Sequence, residues 1–253
     1  MTIIPIQTLR VQPFPKQSLF SWIEESLRKK KQALEGGDIL ILSSKIVSYF
    51  EGNVVELSMI HPTAKAKKYA KQMKANPALI QLAMDEADEL ITVTPWVLLT
   101  RKNGIFSSNA GVDLSNVPKG YAITWPKDPF ASAKNIQKFL LKTFRLKKLA
   151  VLIIDSACQP GRKGTTSYAI GFAGIKGFQD LKGSKDLYGN ILRYSALNVV
   201  DSLATAANVI MGESTESCPL AIIRSFPWET SSRTKRDEMV ISSQDEMFPI
   251  QRK

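Results

Sequence analysis

Two short stretches carry the residue types that phosphate and metal chemistry requires. In LAVLIIDSACQPGRKGT (149–165) an apolar run ends at Asp155, and the hydroxyl of Ser156 follows. Pro160, Gly161 and Gly164 come next, interleaved with Arg162 and Lys163. A short run rich in Val and Ile reads as a buried strand, so Asp155 is expected at a strand end. Beyond it lies a loop with accessible backbone N–H groups and two cations. SSNAGVD (107–113) repeats the arrangement after the apolar run 97–100. There Asn109 can donate and accept hydrogen bonds, and Gly111 permits a close backbone approach or a left-handed conformation. A hydrogen-bonded turn without any ligand is the plain alternative for a stretch made of Asn, Gly and Asp. Taken together, the carboxylates of Asp113 and Asp155 at two strand–loop boundaries form a platform for Mg²⁺ or Mn²⁺ beneath a nucleotide.

The elements that must position these groups follow from periodicity. Residues 2–11 alternate as a first strand, ended by Pro13 and Pro15. Ser18 is placed to cap a helix over 18–35, and Gly36 and Gly37 stop it. Residues 39–42 form a short strand that delivers Ser43, Ser44 and Lys45. Lys45, between two apolar runs, either snorkels from a sheet edge or points at an anion. Residues 62–90 are helical, lysine-rich and broken at Pro77. Strands at 91–93 and 97–100 lead to a hairpin turn at Asn103-Gly104. A strand at 121–125, a helix at 130–142, an apolar strand over 168–178, a helix at 194–211 and a strand at 220–223 complete a layered, mixed α/β pattern. Gly171, Gly174 and Gly177 do not have the Gly-x-Gly-x-x-Gly spacing of a dinucleotide fingerprint. Residues 227–253 have few periodic apolar positions and are expected to form a polar C-terminal appendage.

A chain of 253 residues can bury one large core or two modest ones. No stretch approaches a membrane span, and the N-terminus lacks the blocks of a signal peptide, so a cytoplasmic protein with no membrane partner is expected. Cys158 and Cys218 have no Cys-x-x-Cys partner and are expected as free thiols. The formal charge of +11 favours anionic partners, although any single cluster of lysines reads equally well as solvated surface. Nucleic acid is the alternative of a different class, with residues 65–74 and 142–148 supplying phosphate contacts. A basic surface leaves the two aspartates unaccounted for, and the chain has no zinc-finger spacing, basic-zipper heptads or RNA-recognition strand. A nucleotide or a polyglutamylated substrate accounts for the charge more economically.

The ordered motifs KIV with EG following, NAGVD, DSACQPGRKG, YGN and MGE resemble the coenzyme F420-0:L-glutamate ligase family, including bacterial relatives proposed to add γ-linked glutamate to folate. The resemblance covers roughly residues 1–225. It implies an α+β, two-domain fold with mixed sheets flanked by helices, here over 1–226 as two intertwined subdomains, and a homodimer. It further implies that GTP and a divalent metal join the amine of L-glutamate to a carboxylate of a cofactor precursor. By this resemblance Asp113 ends the NAG-x-D motif and Asp155 is the aspartate of the strand-end motif, both associated with metal, and Ser156 stands where threonine is common. The chain departs from the family at residues 157–162, where Ala-Cys-Gln-Pro-Gly-Arg replaces a Phe-Gly-Arg-Pro-Trp-Arg run, and at Tyr49, where lysine is common. Those departures point toward a folate-like acceptor, with F420-0 as the alternative.

Making an amide from a carboxylate at neutral pH requires activation, and phosphoryl transfer from a nucleoside triphosphate supplies an acyl phosphate that an amine can attack. Lys45, Asp155 and Arg162 are expected to act in catalysis. Lys45, Asn109, Gly111, Gly161, Arg162 and Gly164 are expected at the nucleotide phosphates. The metal, Mg²⁺ or Mn²⁺, is expected on Asp113 and Asp155, with Ser156 auxiliary and Glu213 more remote. A glycine-containing loop reads phosphates rather than the base, so GTP and ATP both remain open as co-substrate.

Overall fold

The computed structural model of the chain describes residues 1–12, 14–232 and 238–241. Its first half runs β1 (Thr2–Ile6), α1 (Leu19–Lys29), β2 (Ile39–Ser43), α2 (Ser44–Glu51), β3 (Val54–Glu56), α3 (Ala64–Met73), α4 (Pro77–Glu86), β4 (Glu89–Val93), β5 (Leu98–Lys102) and β6 (Ile105–Ser108). The second half runs β7 (Tyr121–Ile123), α5 (Pro129–Thr143), β8 (Ala150–Cys158), β9 (Thr165–Ile175), β10 (Phe178–Asp180), β11 (Ala196–Asn198), α6 (Val199–Met211), β12 (Leu220–Arg224) and β13 (Thr230–Ser231).

The uninterrupted apolar runs of β2 and β8 lie side by side in parallel at the middle of a six-stranded sheet ordered β1-β12-β2-β8-β9-β13. Every other pairing in that sheet is antiparallel. Strands covered on both faces need no polar alternation, which is why residues 39–42 and 150–154 read as continuous hydrophobic runs. One face packs α1, α2 and α5 through Ile23, Leu27, Val47, Ile136 and Leu140. The other packs α6 through Leu203, Ala204 and Ala207. A separate cluster of Ala66, Ile80, Leu82, Leu98 and Val112 joins α3, α4 and the three-stranded sheet β4-β5-β6. The fold is therefore α+β, with mixed sheets flanked by helices. Lys65, Lys67, Lys68 and Lys71 of α3 face solvent.

Ser18 and Thr63 cap α1 and α3, and Asp128 caps α5, as their side chains favour. Asn103 and Gly104 both take positive φ in the tight turn between β5 and β6. Other boundaries differ from the sequence reading: β1 ends at Ile6, α1 at Lys29, and α6 begins only at Val199, capped by Asn198.

Two differences flank the site. Residues 44–51 form a helix, because the Ser43 hydroxyl accepts the Ile46 N–H at its start and Gly52, at φ 75°, takes the left-handed conformation that ends it. Asp155 is not at a strand end. Ser156, Ala157 and Cys158 continue β8 in register with Ser167, Thr166 and Thr165 of β9, so the segment containing Pro160, Gly161, Arg162 and Gly164 is the connection of a hairpin. Beyond residue 226, β13 pairs with β9, and the Trp228 indole donates to the Gly37 carbonyl at 2.8 Å with the Lys148 ammonium 4.0 Å from its ring centroid. This part of the tail packs on the chain's own core, and residues 233–237 and 242–253 lie outside the described residues.

Asp38, buried before β2, accepts hydrogen bonds from Arg224 Nε at 2.9 Å and Nη2 at 2.7 Å. Removing that cation leaves a buried carboxylate unpaired, so Arg224→Met is expected to lower the unfolding free energy by about 3 kcal/mol. The loss should appear as a lower urea midpoint at unchanged slope. An unaltered midpoint would show that the pair does not hold this end of the sheet.

Candidate active site

The C-terminal ends of the parallel strands β2 and β8 point the same way, and the chain leaves β2 directly into α2. A cavity of about 640 Å³ opens there, lined by Lys45, Asn109, Gly111, Asp113, Asp155, Ser156 and Glu213 among other residues. Ligand sites in sheets of this kind sit at the carboxyl ends of parallel strands, and this cavity follows that rule.

The two aspartates have different surroundings. Asp155 accepts the indole N–H of Trp125 at 2.5 Å and the hydroxyl of Ser44 at 3.0 Å, both neutral donors. Burial pushes its carboxyl up to about 6. The Trp125, Ser44 and Ser156 hydrogen bonds oppose the shift, and the charge of Asp113 adds to it. Asp113 is only half-buried; its partial burial pushes its carboxyl the same way, but the Lys45 ammonium at 2.6 Å and hydrogen bonds from Ser115 outweigh it and hold the carboxyl below its ordinary value. Lys45 also donates to the Ser115 carbonyl at 2.6 Å. Lys45 thus does not snorkel from a sheet edge: it lies in the first turn of α2, and its ammonium pairs with the side chain of Asp113.

Glu213 follows α6 at Gly212 and lines the same cavity beside Ser156. One of its oxygens accepts from Asn208 at 2.6 Å, and the Ser156 hydroxyl lies 2.7 Å and 2.9 Å from its two oxygens. Asn109 Oδ1 accepts the Leu98 N–H at 3.0 Å, so this end of the amide fixes its own loop. Gly111 combines φ 73° with the close approach expected of it, because a Cβ there would lie 2.2 Å from Trp125 Nε1. The body that approaches is an indole. Gly161, Arg162 and Gly164 sit exposed on the β8–β9 connection and do not line the cavity.

Sequence reasoning overlooked Ser44, Ser115, Trp125 and Asn208. Ser44 and Trp125 act on Asp155 through contacts between residues far apart in the chain, whereas Ser115 and Asn208 bond to Asp113 and Glu213 only a few residues away, where a single strand of sequence does not show which side chains face the cavity.

A profile for F420-0:Gamma-glutamyl ligase matches residues 10–225. The chain belongs to that family. It is 40% identical over 192 residues to the coenzyme F420:L-glutamate ligase of Methanocaldococcus jannaschii, covering 76% of each chain. It is 36% identical over 207 residues to the protein of the same name from Methanothermobacter thermautotrophicus, covering 81% of this chain and 82% of that one. The family match spans β2, β8, β9 and β12 of the central sheet, both aspartates and Glu213, so all of the cavity lining except Thr8 and Leu9 lies inside the region shared with F420-0:gamma-glutamyl ligases.

The difference between the aspartates has a sign in solution. Asp155 binds its proton more tightly in the folded state, so its contribution to stability falls as pH rises from about 4 to about 6 and stays unfavourable above. Asp113 behaves oppositely: its contribution is present above its unfolded value and is lost as pH falls through the folded one. Asp155→Asn removes the buried charge at nearly constant shape. It is expected to stabilise the fold on the order of 2 kcal/mol near about pH 7.5, with the gain vanishing near about pH 4. Denaturation at the two pH values checks this, and an equal gain at both would rule out charge burial as its origin.

Proposed function

We propose that the chain is a nucleoside-triphosphate-dependent γ-glutamyl ligase that joins the amine of L-glutamate to a carboxylate of an F420-0-like acceptor. One observation carries the reading: two carboxylates with different electrostatics share one cavity, in a chain 36% to 40% identical to enzymes named coenzyme F420:L-glutamate ligase. In the first half-reaction an acceptor carboxylate oxygen attacks the γ-phosphorus and the nucleoside diphosphate leaves. In the second, the glutamate nitrogen attacks the acyl carbon, phosphate departs and the amine gives up a proton. Both halves bring anions together, so positive charge in the cavity must offset their repulsion.

The donor set fits a divalent cation. Asp155 is a largely buried carboxylate held only by neutral donors, and a cation would supply the charge its surroundings lack. No three His, Cys, Asp or Glu side chains converge among the described residues. Mg²⁺ suits such a site, because it is commonly held by one or two carboxylates together with phosphates and water. Asp155 and Asp113 would hold it, with Ser156 and Glu213 on the adjoining wall. Bound there, it would neutralise charge on the transferring phosphoryl group. Lys45 fixes Asp113 and brings its own charge to the same wall.

The relatives' names favour the F420-0 class over a folate-like acceptor, while the substitutions over 157–162 are what favour folate. Purified protein with F420-0, tetrahydrofolate or dihydropteroate, L-glutamate, and GTP or ATP decides between them by mass spectrometry. Addition of one glutamyl unit to F420-0 with GTP is the expected result. A folate product alone would reverse the acceptor assignment, and no product from any pair would sink the ligase reading.

We also propose a homodimer. The hairpin over 181–195 is held by its own hydrogen bonds, yet it leaves Leu187, Tyr188, Ile191 and Tyr194 exposed. Apolar side chains grouped in this way mark contact surfaces. Sedimentation equilibrium should give twice the chain mass, and a concentration-independent mass near 28.1 kDa would exclude the dimer.

A further inference from the structure

Trp125 is buried to 2% exposure behind Asp155, a residue of the cavity lining, and the acceptor its buried indole N–H finds is that charged carboxylate. Its indole nitrogen meets Asp155 at 2.5 Å. Its ring is fixed from three directions. The backbone at Gly111 leaves no room for a Cβ, the buried Lys102 ammonium lies 5.8 Å from the ring centroid, and Tyr168 meets it edge-on at 6.2 Å. Lys102 is itself held by Glu86 at the end of α4. Asp155 and Tyr168 are paired across β8 and β9, so the indole joins the central sheet to the layer built by α4, β5 and the Gly111 turn.

We infer that Trp125 is a positioning residue that fixes the Asp155 carboxylate through an uncharged donor, and that Gly111 is glycine to admit its indole. A lysine or arginine there would orient the carboxylate equally well but would neutralise it, as Lys45 does at Asp113. A neutral N–H in a rigid ring holds one oxygen in place and leaves the full charge for a cation or a phosphate-bound metal. The inference rests on the ligase reading for its consequence, but the contact itself does not.

Trp125→Phe keeps the ring bulk and removes the donor, and Gly111→Ala pushes the indole away while leaving the donor intact. Both are expected to weaken Mn²⁺ binding, read by electron paramagnetic resonance in the presence of a nonhydrolysable nucleotide, by about 10-fold to 100-fold. Trp125→Phe should lower kcat by a similar factor with little change in the nucleotide KM. The decisive arm is a double-mutant cycle with Asp155→Asn. If Trp125 acts through Asp155, Trp125→Phe has no further effect on Mn²⁺ binding in that background. Additive effects, or unchanged binding in a folded Trp125→Phe protein, would reduce Trp125 to a packing residue and overturn the inference. If the wild type makes no glutamylated product, the ligase reading fails while the binding cycle still decides the role of Trp125. Wild-type protein that binds no Mn²⁺ would overturn the inference as well.

Discussion

The ion pair between Lys45 and Asp113 is the constraint on which the cavity depends. Lys45 stands in the first turn of α2, which packs on the central sheet, while Asp113 follows the Gly111 turn beside the second apolar cluster. The 2.6 Å contact therefore ties two separately packed bodies across the mouth of the site. A pair of this kind gains little net stability over an apolar contact, because both charges are partly desolvated. What it fixes is geometry. Both partners are committed in advance by hydrogen bonds to Ser115, so the cavity wall is shaped before any ligand arrives.

That commitment divides the work between the carboxylates. With Lys45 at its side Asp113 is compensated and carries little net charge to offer. Asp155, held by an indole and a hydroxyl, retains its charge at a cost in stability that the surrounding sheet bears. The cavity thus combines one wall fixed by an ion pair with one under-compensated charge, the kind of perturbed carboxylate that clusters at functional sites. Two aspartates each paired with a lysine would be more stable and less attractive to metal.

Much of the frame was legible in the chain because burial is written in composition. The doubly covered strands appear as runs such as ILIL and AVLII, and the caps Ser18, Thr63 and Asp128 announce their helices with residue types that have little other use there. The helix over 44–51 was hidden because serines on both sides of Lys45 look like a loop until one knows that Ser43 accepts the Ile46 N–H. The run of β8 past Asp155 was hidden for a related reason. Polar residues at the end of an antiparallel hairpin alternate between faces, and the sequence of one strand does not show the partner that keeps them in the sheet.

The glycines were the least legible, since one residue type serves opposite ends. A glycine in a site can expose backbone donors to a phosphate, or it can vacate the volume of a Cβ for a side chain elsewhere in the fold. Gly111 does the second: the space it leaves is filled by Trp125. Gly161 and Gly164 have open space around them and positive φ, which is what a hairpin connection asks of glycine with or without a ligand. The polar lining of the cavity is thus made by carboxylates, hydroxyls and one ammonium presented from within β8, from beside the Gly111 turn and from the start of α2. Asp113 is tied to the central sheet through Lys45, while Asp155 is part of that sheet, so the spacing of the two carboxylates is set by how the two packed bodies meet.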